Sequence, residues 1–237
     1  MQIKDSIALV TGANRGLGKA FVQALLAAGA AKVYAAARDP STIEVLPNVV
    51  PLKLDVTRPE DIAAAVQNAP DLTLLINNAG ISGLSGQAQD SISLDTLRHE
   101  FETNAVGPLA TSLAFAPILA ANGGGAIVNM HSALSWINLP NTVTYSASKA
   151  AAWSLTNGLR LRLAAQGTLV VGVHVAFVDT DMTRGLEGVQ KAAPHEVVQR
   201  ILDGVLNEQP EVLADGTSEQ IKQNLSNGIY LQPITQG

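Results

Sequence analysis

Two side chains that can take part in proton transfer, Tyr145 and Lys149, stand four residues apart at the start of a stretch with a helical pattern. Residues at positions i and i+4 lie on the same face of a helix, so the phenol and the ammonium can reach one pocket. A tyrosine hydroxyl has a pKa of about 10 and exchanges its proton poorly at neutral pH, unless a neighbouring ammonium stabilises the phenolate. Solvated helix faces often show the same spacing, so the significance of the pair depends on the rest of the chain.

A hydroxyl group, that of Ser132, lies just beyond the apolar run Ala126–Met130, which predicts a buried strand. Ligands of open α/β sheets bind at the carboxyl ends of the strands. We therefore expect Ser132 at the edge of the sheet where a substrate would bind. The neighbouring His131 is expected to point to the opposite face, because successive side chains of a strand alternate.

The elements that position these groups begin with a glycine loop. An apolar run at 7–10 precedes T-G-A-N-R-G-L-G at 11–18, a helical pattern follows to about Gly29, and Lys32–Ala37 has the composition of a second strand. In such a unit the loop can cradle the pyrophosphate of a dinucleotide, because glycine allows close backbone approach and the helix N-terminus favours negative charge. An ordinary tight turn is the alternative.

The alternation of strands and helices continues along the chain. Further strands are predicted at 49–54, 72–76, Ala126–Met130, 169–175 and 211–214, and further helices at about 59–68, 94–121, 145–165, 194–207 and 217–225. This order predicts an α/β, Rossmann-type fold, with a doubly wound parallel sheet of about seven strands and helices on both faces. We expect one domain over 1–237, with a substrate lid at about 182–194.

Composition and charge argue against several classes of function. With 47% hydrophobic and 15% charged residues, the chain is expected to form a compact globule. A net charge of −5 without a cluster of Lys or Arg argues against nucleic-acid binding. The chain has no cysteine, and its four histidines show no metal-ligand spacing, so no metal is expected. Without an apolar run of about 18 residues or a signal peptide, we expect no membrane span and a cytoplasmic location.

Several motifs occur together and in a fixed order. They are T-G-x-x-x-G-x-G at 11–18, D-V at 55–56, N-N-A-G at 77–80, Asn104, Ser132 and Y-x-x-x-K at 145–149. Through them the chain resembles the short-chain dehydrogenase/reductase family in its single-domain form, over about residues 5–225. The resemblance implies hydride transfer between NAD(P) and a carbonyl compound or alcohol. It also implies that Tyr145 is the proton donor or base, and that Lys149 lowers the pKa of Tyr145 and binds the nicotinamide ribose. Ser132 would bind the substrate oxygen, and Asn104 would hold a relay water.

The cofactor is expected to lie along the glycine loop and the neighbouring strand ends. The expected contacts are Gly12, Asn14, Arg15, Gly16, Leu17, Gly18, Arg38, Asp55, Val56, Asn78, Ala79, Gly80, Tyr145, Lys149, Val178 and Thr180. An acid at the end of the second strand would bind the 2′-hydroxyl of NAD, but this chain has Arg38 there and a second arginine, Arg15, in the loop. We therefore predict that NADPH is preferred over NADH. Asp39 is the alternative, because a one-residue shift of the turn would restore NAD.

The substrate pocket is expected between the segment after Ser132 and the segment after the sixth strand. The predicted residues are Ser82, Leu84, Leu134, Trp136, Ile137, Leu139, Phe177, Met182 and Leu186. Because most are apolar, a neutral, hydrophobic ketone, aldehyde or secondary alcohol is favoured over an acid or a sugar phosphate. The chain departs from the family where Val175 and Ala176 replace the usual Pro-Gly, and where no glycine-rich D-G-G segment follows the last strand.

Two other functions are possible on this fold. A non-catalytic dinucleotide sensor would have lost the chemistry, but all four polar positions are present. A lyase resembling the halohydrin dehalogenases would have arginine in place of Lys149 and an altered glycine loop, and neither is present. Apolar and small residues on more than one face of the predicted helices at 94–121 and 144–165 favour a homodimer or homotetramer.

Overall fold

The protein forms a seven-stranded, wholly parallel sheet in the computed structural model, which describes residues 1–83 and 93–232. The strands are β1 Ile7–Thr11, β2 Lys32–Ala37, β3 Val49–Lys53, β4 Leu74–Asn77, β5 Ala126–Met130, β6 Leu169–His174 and β7 Glu211–Leu213. Their order in the sheet is β3-β2-β1-β4-β5-β6-β7, so the winding reverses between β1 and β4. The predicted Rossmann-type fold is confirmed, and the point of reversal is where such sheets bind ligands.

Helices cover both faces of the sheet. They are α1 Gly16–Ala27, α2 Pro59–Asn68, α3 Leu94–Phe101, α4 Gly107–Ala121, α5 Val143–Leu163, α6 Pro194–Leu206 and α7 Gly216–Gln223. One core lies under α1 and α6, and a second lies under α2, α4 and α5. Strand β1 serves both cores, because Ala8 and Val10 face the first while Leu9 faces the second.

The predicted helix at 94–121 is continuous but not regular. A π-helical turn, Glu102–Val106, separates α3 from α4 and carries Asn104. The run Leu94–Ala121 is long and apolar enough to cross a membrane by length and composition, a test that core helices of globular proteins also pass. Here Phe115 and Leu119 are fully buried in the core under α4.

The segment proposed as a lid follows β6. It contains a short 3₁₀ turn, Asp181–Thr183, and is then irregular up to the start of α6 at Pro194. A single parallel bridge joins Val178 to Ala192, so both ends of the segment are held at one point. Its role as a lid remains a proposal.

Candidate active site

A cleft of about 440 Å³ runs along the carboxyl edge of the sheet. It crosses the ends of β1, β2, β4, β5 and β6, with Arg38 and Asp39 at one end and Tyr145 and Lys149 at the other. The predicted cofactor residues that line it are Gly12, Asn14, Arg15, Gly16, Leu17, Arg38, Asp55, Val56, Asn78, Ala79, Gly80, Tyr145, Lys149, Val178 and Thr180. The fold thus brings together nearly all the positions that the motifs indicated.

The glycine loop requires its glycines for identifiable reasons. Gly12 and Gly16 have φ of 65° and 53°, in the left-handed region that favours glycine. Gly18 does not line the cleft but lies beneath it, and a Cβ there would come 2.0 Å from the carbonyl oxygen of Gly12. Helix α1 starts at Gly16 without a side-chain cap or an acidic residue in its first turn. Its N-terminal amides are therefore suited to an anion such as a pyrophosphate.

Thr11 and Asn78 join the glycine loop to the end of β4. The Thr11 hydroxyl oxygen accepts from the backbone N–H groups of Asn78 and Ala79, both at 3.0 Å. The Asn78 amide in turn donates to the carbonyl oxygens of Thr11 and Gly12 at 2.9 and 3.3 Å. The side chains of Asn78 and Thr11 therefore hold the shape of the cleft together. The sequence did not single out Thr11 for this role.

Arg38 and Asp39 line the same end of the cleft but have separate environments. Asp39 accepts from the backbone N–H and hydroxyl of Ser41 at 3.0 and 2.7 Å, and these bonds lower the pKa of its carboxyl. Arg38 is exposed. Burial raises the pKa of the nearby Asp55 carboxyl, but hydrogen bonds from Thr57 and the charge of Arg38 lower it, and the net shift is downward. Asp39 thus caps a local turn, while Arg38 faces the open end of the cleft.

The second arginine has an acidic neighbour that the sequence did not suggest. Arg15 Nη1 lies 3.5 Å from Asp181 Oδ2 across the mouth of the cleft, and Asp181 also pairs with Arg184. An acidic side chain therefore opposes Arg15 at the mouth of the cleft. Because the Arg15 side chain is 69% exposed, this ion pair is weak and can exchange for a stronger anion.

The four candidate catalytic residues converge at the other end of the cleft. Lys149 Nζ donates to the carbonyl oxygen of Met130 at 2.9 Å and lies 5.8 Å from the ring centroid of Tyr145. Ser132 is buried and lines the cleft beside them, with its hydroxyl oxygen accepting from Leu134 N–H at 3.1 Å. The ammonium is therefore close to the phenol ring while its hydrogen bond goes to a backbone carbonyl.

Asn104 lies behind this group and is 1% exposed. Its amide oxygen accepts from Ile81 N–H, and its amide nitrogen donates to the Ile81 carbonyl and to the Ser148 hydroxyl, all at 2.9 Å. Ser148 donates to the carbonyl oxygen of Tyr145 at 2.7 Å. The π-helical turn thus places one amide so that it joins the loop after β4 to the helix that carries Tyr145.

Burial dominates the acid–base properties of this group. It raises the pKa of Tyr145 to about 12, while the nearby Ser132 hydroxyl lowers it and the Glu100 carboxylate raises it. Burial also lowers the pKa of Lys149 to about 8. The net shift of the Tyr145 pKa is thus upward, opposite to the lowering by Lys149 that the resemblance implies.

The predicted substrate residues are mostly placed elsewhere. Met182 lines the cleft, whereas Leu134, Trp136 and Ile137 pack with Ile221 of α7. Trp136 stacks on the His174 ring with centroids 3.7 Å apart, because the short turn after Ser132 directs its indole towards β6. Ser82, Leu139, Phe177 and Leu186 are not among the residues that line the cleft, and Leu84 lies outside the described residues. His131 lines the cleft as well, its ring centroid lies 5.2 Å from that of His174, and its expected orientation opposite to Ser132 remains a prediction.

Sequence reasoning missed several residues of the site. Glu100 is 1% exposed, and its Oε1 accepts from Gly83 N–H at 2.6 Å. Its position four residues before Asn104 is a signal that could have identified it, since both lie on one helix face. His99 and Thr103 also line the cleft. Within residues 1–83 and 93–232, no group of three His, Cys, Asp or Glu side chains could hold a metal ion.

Known proteins are similar to this chain in sequence and in fold. The family model for short chain dehydrogenases matches residues 6–190. A 3-oxoacyl-(acyl-carrier-protein) reductase from Vibrio cholerae is 30% identical over 206 residues, covering 81% of this chain and 82% of that protein. A cyclohexanol dehydrogenase from an Acinetobacter strain is 28% identical over 207 residues, covering 83% and 82%.

Two solved structures are similar over most of the chain. A short chain dehydrogenase from Burkholderia cenocepacia in complex with NADP has a TM-score of 0.93 at 38% identity, covering 99% of this chain and 100% of that one. An NADPH-bound carbonyl reductase from chicken fatty liver has a TM-score of 0.74 at 32% identity, covering 84% and 86%.

Proposed function

The chain belongs to the short-chain dehydrogenase family of oxidoreductases, and on that premise we propose that it transfers a hydride between NADP and a neutral, hydrophobic carbonyl compound or secondary alcohol. The observation that carries the proposal is that Ser132, Tyr145 and Lys149 line a cleft that Arg38 also lines, with Asn104 held behind them through Ser148. A dinucleotide is long enough to occupy both ends. The glycine loop lies between them, where a pyrophosphate would bind.

The residues of the cleft fit the cofactor. The crowded Gly18 and the uncapped start of α1 leave the loop open to a phosphate group. When bound, the nicotinamide would supply or accept the hydride. Arg38 would pair with the 2′-phosphate, and Lys149 would bind the nicotinamide ribose, as the resemblance implies.

Tyr145 is suited to donate a proton when a carbonyl group is reduced. With a pKa of about 12 it holds its proton at neutral pH, and the alkoxide that develops during reduction is a stronger base. The Ser132 hydroxyl would hold the substrate oxygen beside the phenol. Both amide hydrogens of Asn104 are donated, one to the Ile81 carbonyl and one to the Ser148 hydroxyl. A relay water would therefore have to donate to the remaining lone pair of the Asn104 amide oxygen, or accept its hydrogen bonds from other groups.

The preference for NADPH rests on charge. A hydrogen bond between charged groups contributes roughly 1.5–3 kcal/mol, so two arginines could favour the 2′-phosphate by about 10²-fold or more. Arg38 is free to do so, whereas Arg15 must first leave Asp181. We expect kcat/KM to be higher with NADPH, and Arg38→Asp to abolish or reverse the preference. Equal values for NADPH and NADH in the unaltered protein would contradict this part of the proposal.

The decisive experiment replaces Tyr145 by phenylalanine. This change keeps the ring but removes the transferable proton, so turnover should fall by at least about 10²-fold while NADPH binding persists. Wild-type turnover in the variant would refute the assignment. Absence of any NADPH oxidation by the unaltered protein, over a panel of ketones and aldehydes that includes cyclohexanone, would favour the non-catalytic sensor, whereas halide release from a halohydrin would favour the lyase.

The substrate class rests on the apolar walls of the cleft. Val175, Ala176, Ile81 and Met182 line the cleft and are apolar. They favour a neutral ketone, aldehyde or secondary alcohol, and a relative that oxidises cyclohexanol is consistent with this class. A 3-oxoacyl thioester is the second candidate because of the reductase relative. Comparing kcat/KM for cyclohexanone and a 3-oxoacyl thioester separates the two.

We also propose that the chain forms a homodimer or homotetramer. Leu113 on α4 is 42% exposed, and Val143 and Leu161 on α5 are 40% and 82% exposed. Large apolar side chains at several places on two adjacent helices are typical of helix packing between subunits.

A further inference from the structure

Asp215 joins the last helix to the wall of the cleft. Its Oδ2 atom accepts from the backbone N–H of Ala176 at 2.6 Å. Its Oδ1 atom accepts from Ser218 N–H at 2.8 Å, which caps the N-terminus of α7, and the Ser218 hydroxyl donates to Oδ2 at 3.1 Å. A single carboxylate therefore holds two segments that are far apart in the sequence.

The segment that Asp215 holds is the one in which the chain departs from its family. Val175 and Ala176 stand where Pro-Gly is usual, and both line the cleft, where the Val175 carbonyl oxygen accepts from the backbone N–H of Ala133, next to Ser132, at 3.0 Å. Proline fixes its own φ angle and so restrains a turn from within. Val175 has no such restraint, whereas the bond from Ala176 N–H to Asp215 restrains the turn from outside.

The same helix also packs behind the catalytic serine. His174 is fully buried, and its Nδ1 atom lies 3.1 Å from the carbonyl oxygen of Ser132. Since a carbonyl oxygen only accepts, Nδ1 carries the proton in this bond. Trp136 stacks on His174, and Lys222 of α7 lies 4.8 Å from the centroid of Trp136. Helix α7 is therefore coupled to Ser132 on one side and to Ala176 on the other.

We propose that Asp215 is a positioning residue for the nicotinamide half of the cofactor, which it serves by fixing the backbone at Ala176. The proposal rests on the proposed function, because it requires that NADP binds in the cleft. It makes a prediction that a purely structural cap does not make. Disturbing Asp215 should weaken binding of the nicotinamide half and leave binding of the adenosine half, near Arg38, unchanged.

The test separates the two roles of the carboxylate. Serine is a good N-cap, so Asp215→Ser keeps a cap for Ser218 N–H but has a shorter side chain with one oxygen that cannot also serve Ala176. We expect its thermal midpoint to stay near that of the unaltered protein. Titration calorimetry should show a roughly 10-fold weaker affinity for NADPH, the equivalent of about one lost charge-assisted hydrogen bond. Affinity for 2′,5′-ADP, the adenosine half alone, should not change.

Two further variants complete the design. Asp215→Asn has one acceptor oxygen for two donors, the N–H groups of Ala176 and Ser218, and should show the same selective loss of NADPH affinity. It therefore tests the proposal if the serine variant does not fold. Glu219→Gln removes a carboxylate on α7 that pairs with Arg200 and should change neither affinity. An equal loss for both ligands, or no loss in either variant, would overturn the role of Asp215. Failure of the unaltered protein to bind NADPH would instead refute the proposed function.

Discussion

Replacing Lys149 by methionine should reduce activity while changing stability in a way that depends on pH. The side chain is 5% exposed, and burial lowers its pKa from the ordinary 10.5 to about 8. That difference corresponds to roughly 3 kcal/mol of cost for holding the charged form in the fold. The hydrogen bond to Met130, at 2.9 Å, offsets part of this cost. Methionine has a similar length and carries no charge, so it removes both terms.

The sign of the pH effect follows from the two pKa values. Below about pH 8 Lys149 is protonated in both the folded and the unfolded chain, so the burial cost is fully present. Between about 8 and 10.5 the unfolded chain binds more protons than the folded one, and the free energy of unfolding therefore rises with pH. The methionine variant lacks this contribution. Relative to the variant, the unaltered protein should gain roughly 3 kcal/mol between pH 7 and pH 10.5.

Urea unfolding of both proteins at pH 7 and near pH 10 measures this difference directly. All other titrating groups are common to the two proteins, so their effects largely cancel in the comparison. Lys4→Met is the matched control, since Lys4 is exposed, and it should show no such trend. A stability difference between the unaltered protein and Lys149→Met that does not change with pH would mean that the ammonium is not desolvated. Activity of the Lys149 variant should fall in either case, because the same group is proposed to bind the ribose.

Three further results are expected. Gly18→Ala should prevent folding or cofactor binding, because its Cβ would come 2.0 Å from a backbone carbonyl oxygen. Gly158→Ala, which has open space around it on α5, should instead stabilise the helix by roughly 0.5–1 kcal/mol. Urea unfolding of the two variants tests both expectations. Glu100→Gln should shift the pH profile of alcohol oxidation towards lower pH, because the Glu100 carboxylate raises the pKa of Tyr145. Glu102→Gln, at an exposed position, is the control. Equal pH profiles for the Glu100 variant and the unaltered protein would contradict the effect. Light scattering at micromolar concentration should give the mass of a dimer or tetramer, and a monomeric mass would contradict the assembly proposed for α4 and α5.

The parts of the site that depend on local sequence could be predicted. Glycines at 12, 16 and 18 are needed for backbone geometry within one turn, so their spacing between a strand pattern and a helix pattern indicated the loop. Tyr145 and Lys149 share a helix face for the same local reason. The position of Trp136, by contrast, could not be predicted from local sequence. Its direction depends on a stack with His174, a strand away in the sheet, and nothing in the local pattern encodes that contact.

Contacts across long stretches of chain were also out of reach. The bond between Ala176 and Asp215 joins residues 39 positions apart, and an aspartate at the start of a helix is fully explained by capping. Glu100 has a comparable difficulty, because a glutamate on a helix ordinarily faces water, and its four-residue spacing from Asn104 is the one local sign of its burial. In both cases the residue type matches a common local role, and the long-range contact, with Ala176 or with Gly83, is seen only in the fold.

The π-helical turn explains how Asn104, in the interior of the predicted helix at 94–121, comes to face the candidate catalytic residues. The buried positions of this helical run include two series at four-residue steps, Glu100 to Asn104 and Gly107 through Thr111 and Phe115 to Leu119, with a three-residue step between them; Thr103, Ala105, Ser112 and Ala116 beside these series are buried as well. Each four-residue step rotates about 40° beyond a full turn of a regular helix, so the buried face of a straight helix would drift away from the sheet. A π-helical turn holds more residues per turn and absorbs part of this drift. Because the turn falls at Asn104, the amide faces the catalytic group while α4 still buries its apolar side, a combination that a continuous α-helix would not give.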